Sequence, residues 1–253
     1  MDKNNQDKWL HFIRNEELLT IKKIIQEHKG GGILEIGGKD GYLAKKIENW
    51  GYEVISIDIN PSSKYFNVKN MDATNLKFKS NSFDIIFSSQ VIAHIKNKNL
   101  LFQEINRVIK NDGLIIHIVP SSWWSLITNF WYYILLPKRL FKKINVKTNT
   151  EINTEINNHN KSIKAKNRLM NLLFYHPLGT DKSFFIEIFK FSKNSWSKMF
   201  ILNNCKIISK INGPMSYSGL SIFKNSGHKI RKFTAKQIPS SHIFIMKKSN
   251  NNI

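Results

Sequence analysis

One cysteine, Cys205, in 253 residues excludes an internal disulfide and any multi-cysteine zinc or iron–sulfur site. Acid is scarce: 18 Asp and Glu stand against 39 Lys and Arg, a net charge of +21. Arginine is scarce too, with five of those 39 basic residues. Arginine is the favoured residue for bidentate phosphate and base recognition, so its shortage argues against nucleic acid as the partner despite the charge. The chain is dense in Asn, Ile and Lys, as an AT-rich coding bias would produce. Most of the charge therefore reads as solvated surface, with attraction to anionic lipid or a phosphate-bearing substrate as the alternative. Long hydrophobic runs are missing. Trp123–Leu136 spans 14 residues and is broken by Ser125, Thr128 and Asn129, whereas a spanning helix needs roughly 20. The opening MDKNNQDKWLHF has no apolar h-region, so no secretory signal is expected and the location reads as cytoplasmic. The eight histidines show no metal-ligand spacing.

What is present is an alternation of apolar runs and helical patterns. Leu10, Ile13, Leu18, Ile21, Ile24 and Ile25 predict a helix over 9–28, stopped by Gly30–Gly32. Ile33–Ile36 reads as a strand and is followed by the turn GGKDG at 37–41, then a helix over 41–50. Val54–Ile59, Phe83–Ser88 and Leu114–Val119 read as further strands, with a helix over about 98–110 and a turn at 111–113 before the last of them. Such alternation predicts parallel strands covered on both faces, joined by right-handed crossovers. Ligands in these sheets sit at the carboxyl ends of the strands, where this chain puts Glu35, Asp58, Asp72 and Ser88. Beyond Pro120 the alternation stops. Residues 120–141 are aromatic-rich and bracketed by Pro120 and Pro137, and 145–168 read as a mobile Asn/Lys/Thr-rich segment. Ser183–Phe191 reads as a strand, with a helix to about Asn203 capped by Ser192 or Asn194. Lys206–Ile211 and His242–Met246 read as two final strands.

The turn E-I-G-G-K-D-G at 35–41 is not a dinucleotide fingerprint, because that pattern needs glycine where Lys39 and Tyr42 stand. It also lacks a Walker Gly-Lys-Ser/Thr. The pattern acid-x-Gly-x-Gly-x-Gly fails only at Lys39. An acid at the strand end suits a cationic ligand better than a pyrophosphate.

The blocks ILEIGGKDGYLAKKI, VISIDIN, MDATNLKFKSNSFDIIFSSQVIAHI and EINRVIKNDGLIIHIVP, in this order and spacing, resemble the class I S-adenosylmethionine-dependent methyltransferases. The nearest group is the small-molecule, methyltransferase-domain-11-like type, whose last block usually reads Arg-Val-Leu-Lys-Pro-Gly-Gly. The resemblance covers about 30–120, with weaker echoes at 183–223 and 242–248. It implies a Rossmann-like doubly wound sheet of seven mostly parallel strands, the last antiparallel, plus a helical lid insertion. One domain over 1–253 follows, with a cofactor-binding core at 30–120, a lid or substrate insertion at 121–182, and strands and a helix at 183–248 completing the sheet. The implied activity is methyl transfer from S-adenosyl-L-methionine to a small-molecule, sugar or lipid-linked acceptor at oxygen. An RNA or protein methyltransferase, and a non-catalytic protein retaining the fold, are the rivals.

By the same resemblance Glu35 would face the methionine end of the cofactor. Gly37, Gly38 and Gly41 would let the backbone approach it. Asp58, with Ile59 beside it, would take both ribose hydroxyls. Asp72 would accept from the adenine amino group, Ala73 would offer its N–H to the ring, and Ser88 would lie beside the transferred methyl. Lys39 is the departure: it either points to solvent or weakens cofactor binding. His94, six residues past Ser88, is the candidate base, and His176 in YHPLGTDKSFFIE is a second candidate at the acceptor, with Asp181 or Glu187 as its acid. His117, inside an apolar run, reads as a core histidine. The aromatic stretch 121–143 has three competing roles: acceptor wall, contact with an anionic membrane surface, or oligomer contact.

Overall fold

A computed structural model describes residues 3–147, 177–180, 183–219 and 227–249. Its elements run α1 (Lys3–Glu27), β1 (Gly32–Ile36), α2 (Tyr42–Glu48), β2 (Glu53–Asp58), β3 (Val68–Asn70), β4 (Phe83–Ser89), a 3₁₀ turn (Ile92–His94), α3 (Lys98–Val108) and β5 (Ile109–Pro120). These are followed by α4 (Ser122–Lys147), α5 (Phe184–Lys190), α6 (Lys193–Leu202), β6 (Cys205–Asn212), α7 (His228–Thr234) and β7 (Ser241–Lys248). The seven strands form one sheet in the order β3-β2-β1-β4-β5-β7-β6. β1 pairs parallel with β2 and β4, β2 with β3, and β4 with β5, while β7 is antiparallel to both β5 and β6.

Apolar residues on both faces of the central strands make two cores. Because successive side chains alternate across a strand, Leu34, Ile86 and Ile115 enter one core while Ile33, Ile85 and Ile116 enter the other. The first is completed by Leu101, Phe102 and Ile105 of α3 and by Phe200 of α6. Leu43 and Ile47 of α2 complete the second. Helix α1 belongs to both: Trp9 and Ile13 join the first core, and Leu18, Ile21 and Ile25 the second. Between those two sets, buried Glu17 takes a hydrogen bond from Arg14 (2.7 Å), the Tyr217 hydroxyl (3.2 Å) and the Ser241 hydroxyl (2.5 Å). Each fully buried aliphatic or aromatic side chain contributes about 1.5–3 kcal/mol, so the two cores rather than the surface charge hold the fold.

Four expectations change. Ser183–Phe191 is not a strand but the N-cap and body of α5, with the Ser183 side chain accepting from Phe185 N. A strand would put Phe184, Ile186 and Ile188 on one face. Instead Phe184, Glu187 and Phe191 are the buried set, at helical spacing. Ser192 caps α6, accepting from Ser195 N. The short edge strand β3 carries no apolar run and went unread. Helix α3 ends at Val108, and residues 109–113 belong to β5, with a register shift opposite Phe83–Ile85. The aromatic stretch is helix α4, which continues through Pro137 rather than ending there. The segment 145–168 falls almost wholly outside the described residues. Among the described residues, no helix is long and apolar enough to cross a membrane.

Candidate functional site

A cavity of about 560 Å³ opens at the carboxyl ends of β1, β2 and β3 and beside the loop after β4. Its wall carries Ile36–Gly37, Ile57–Ile59, Met71–Thr74 and the stretches Val91 and His94–Asn97. The volume lies within the range usual for small-molecule sites. The lining is mostly apolar, with carboxylates from Asp58 and Asp72 and an imidazole from His94. Ile59 keeps 70% of its surface exposed at the rim, leaving an aliphatic face available to a planar ligand.

Strand β2 aims Asp58 because the sheet stops there and the chain turns. Asp58 then fastens two backbones: Oδ2 accepts from Lys39 N (3.1 Å) and Oδ1 from Asn60 N (2.8 Å). Each carboxylate oxygen has a second lone pair for a ligand hydroxyl. Asp72 closes a local turn, its Oδ1 accepting from both the N–H and hydroxyl of Thr74 at 2.8 Å. Its other oxygen is available to a ligand.

The glycine loop is built by close approach. Gly37 N and Gly38 N both donate to Ile57 O (2.7 and 3.0 Å), drawing the loop against β2. Gly37 has φ +82°, and a Cβ there would lie 2.1 Å from a Val91 methyl. At Gly38 a Cβ would lie 1.8 Å from Ser56 Oγ. Lys39 also adopts the left-handed region, at φ 47°. Its ammonium donates to Asn60 O at 2.7 Å, so it lies along the loop exterior and does not line the cavity. Helix α1 covers this loop: His11 bonds Asp40 at 2.7 Å and stacks on Tyr42 with ring centres 4.1 Å apart.

Of the expected residues, the structure brings Gly37, Asp58, Ile59, Asp72, Ala73 and His94 to one cavity. Gly38 and Gly41 shape the loop without lining it. Glu35 lies buried beneath the loop, where Ser56 Oγ donates to it at 2.5 Å. Burial raises its pKa from an ordinary 4.5 to about 7, against the pull of the Ser56 and Ala44 hydrogen bonds. Ser88 is also buried and bonds His117 Nδ1 at 2.8 Å, away from the cavity wall. His117 lies between the Phe102 and Phe200 rings, and burial lowers its pKa to about 3, as a neutral core histidine requires. His176 and Asp181 lie outside the described residues. Glu187 is buried in α5 and accepts from Gly179 N at 2.6 Å.

His94 ends the 3₁₀ turn after β4. Burial, chiefly, lowers its pKa below 6.5, with a smaller push from Lys98, while a hydrogen bond to the Leu178 carbonyl acts in the opposite sense. The imidazole is therefore neutral near pH 7 and held by one nitrogen. Met71, Val91, Ile95, Lys96 and Asn97 also line the cavity and were not singled out from sequence. Their signal was position: each lies within a few residues of Asp72 or His94.

Comparison with known proteins agrees with this geometry. Residues 34–117 match the methyltransferase domain family. Phosphoethanolamine N-methyltransferase 3 of Arabidopsis thaliana is 29% identical over 93 residues, covering 32% of this chain and 18% of that protein. The biotin biosynthesis bifunctional protein BioHC of Cellvibrio japonicus is 34% identical over 90 residues, covering 32% and 18%. The chain thus spans about a fifth of the length of these curated relatives. An S-adenosylmethionine dependent methyltransferase from Mesorhizobium loti shares the fold, with TM-score 0.52, 9% identity, and 92% and 98% of the two chains covered. So does the PH0226 protein of Pyrococcus horikoshii, with TM-score 0.51, 16% identity, and 93% and 91% covered.

Proposed function

We propose that this chain, which carries a class I S-adenosylmethionine-dependent methyltransferase domain with S-adenosylmethionine as its cofactor, methylates a small-molecule, sugar or lipid-linked acceptor at oxygen. The observation that carries the reading is the convergence of Asp58, Asp72 and His94 on one cavity at the carboxyl edge of the sheet. The residues present fit the cofactor. Asp58 offers acceptor lone pairs for the two ribose hydroxyls. Asp72 would accept from the adenine amino group and Ala73 N–H would donate to the ring, with Ile59, Met71 and Val91 as apolar walls. Gly37 keeps the loop backbone open to the methionine portion. Glu35 supports the loop from beneath rather than lining the cavity, and Ser88 acts through the β4–β5 pairing.

S-adenosylmethionine supplies a sulfonium-bound methyl group and a neutral thioether leaving group. The chain's part is alignment, exclusion of water and removal of one proton. His94, neutral at working pH and anchored to Leu178 O by one nitrogen, presents the other nitrogen as a base for an acceptor hydroxyl. Residues 30–120 form the cofactor-binding core in this reading, 121–182 the acceptor-side cover, and 183–248 the completion of the sheet. The lone, buried thiol of Cys205 suits a reducing cytoplasm. Lys39, bound to Asn60 O outside the cavity, gives no support to a non-catalytic role. An amine acceptor is the second reading, favoured by the name of the phosphoethanolamine N-methyltransferase relative.

Titration calorimetry with S-adenosylmethionine tests the proposal. The wild type should bind in the micromolar range, and Asp58→Ala should weaken binding by about tenfold or more, since a charged acceptor of hydrogen bonds is lost. No binding by the folded wild type, or equal binding by the variant, overturns it.

A further inference from the structure

Helix α4 carries an apolar stripe on its outward face and small polar residues on its buried one. Trp123, Leu126, Phe130, Tyr133 and Ile134 recur at steps of three and four and are all exposed, Phe130 by 61%. The opposite face buries Ser125, Thr128 and Asn129 beside Trp124 and Tyr132. A helix of a water-surrounded protein places these classes the other way round. The outward stripe covers about 17 Å at 1.5 Å per residue. Helix α5 packs along α4, tied by the Ser122 hydroxyl to Ile188 O. It extends the surface with exposed Phe185, Ile186 and Phe189, the last exposed by 75%. Two packed helices thus each carry a run of exposed apolar side chains, together the α4–α5 platform, too short to span a bilayer and unlike the scattered exposed side chains of an ordinary surface.

Charge identifies what covers it. The sequence of α4 runs directly from the stripe into Lys138, Arg139, Lys142 and Lys143, on a chain of net charge +21. A second copy would bring the same net charge of +21. An anionic bilayer supplies the complementary sign, and Trp and Tyr are the side chains that favour its interface. We propose that the α4–α5 platform is a membrane-docking surface, laying its aromatic stripe into the interface of a bilayer that bears anionic headgroups. The protein would then bind peripherally, with α4 in the plane of the surface. This does not rest on the methyl-transfer reading.

Vesicle flotation of the full chain tests it, comparing equimolar phosphatidylcholine and phosphatidylglycerol with phosphatidylcholine alone. The wild type should float with the anionic vesicles, less so at high salt. Phe130→Ser/Phe189→Ser should lower partitioning by about tenfold or more, because two buried aromatic rings are lost. Leu126→Ser/Phe185→Ser should behave alike, with circular dichroism showing both folded. Failure of the wild type to float overturns the proposal, and so does wild-type binding by both folded variants. A wild-type dimer that Phe130→Ser/Phe189→Ser converts to a monomer, without vesicle binding by either, would assign the platform to self-association and also overturns it.

Discussion

Glu35→Gln isolates the cost of a carboxylate under the glycine loop. Glu35 is 2% exposed, takes the Ser56 hydroxyl and the Ala44 N–H, and has Asp40 and Asp58 as like-charged neighbours. Desolvation dominates and carries its pKa from 4.5 to about 7. Between those values the folded chain holds a proton that the unfolded chain releases, so the unfolding free energy falls as pH rises through this window. The loss is complete above about pH 7 and amounts to about 3 kcal/mol, at 1.36 kcal/mol per pH unit. Glutamine keeps an acceptor for Ser56 Oγ and never ionises. The stability of Glu35→Gln relative to wild type should therefore improve by about 2.5 kcal/mol from about pH 5 to about pH 8. Urea denaturation of both proteins without cofactor, across that range, measures it. Other titrating groups are common to both and cancel in the difference. A difference that stays constant with pH would refute the argument that burial holds this carboxyl neutral.

Two further outcomes follow from the site. Lys39→Gly should raise stability by up to about 1 kcal/mol in thermal denaturation, because a side chain at φ 47° leaves the left-handed region; a loss would mean that the Lys39–Asn60 contact outweighs the strain. His94→Gln should lower turnover by about a hundredfold while leaving cofactor affinity nearly unchanged. The wild-type rate should rise with pH through a midpoint below 6.5, as the imidazole loses its proton, and the variant should lack that rise.

The parallel core was legible because its strands are buried on both faces. Ile33–Ile36 and Phe83–Ser88 are short apolar runs between turn residues, the pattern that strands buried on both faces produce. The α5 segment was misread for the same reason. FFIEIF is short and apolar, and periodicity alone cannot distinguish strand from helix over so few residues. The deciding feature is tertiary: Glu187 is buried with Phe184 and takes the Gly179 N–H. β3 offered only Val68 as a buried residue, and its pairing comes from β2 next to it. At the site, Asp58 was legible because it ends β2, whereas Asp72, two residues past the unread β3, came from the family resemblance. The departure of Glu35 and Ser88 from the cavity wall was not legible, because alternation along β1 and β4 fixes which face a residue takes but not how deep the adjoining loop seats.

Lys39 shows why a broken pattern need not mean a broken site. Three of the loop's glycines are enforced by neighbours: a Cβ at 37 meets Val91 at 2.1 Å, at 38 Ser56 Oγ at 1.8 Å, and at 41 Phe66 at 2.6 Å. Relief at 38 requires the loop to lift off β2, which would move the adjoining Gly37 backbone, and relief at 37 displaces Val91, itself part of the cavity wall. Position 39 faces outward, and its side chain reaches Asn60 O instead of the cavity. The lysine therefore meets only the dihedral penalty, about 1–2 kcal/mol for an L-residue in the left-handed region. Its own N–H still donates to Asp58 Oδ2, as a glycine there would. The hydrogen bond that fixes the loop to the β2 carboxylate belongs to the backbone, so the substitution acts on stability and leaves the geometry of the cavity intact.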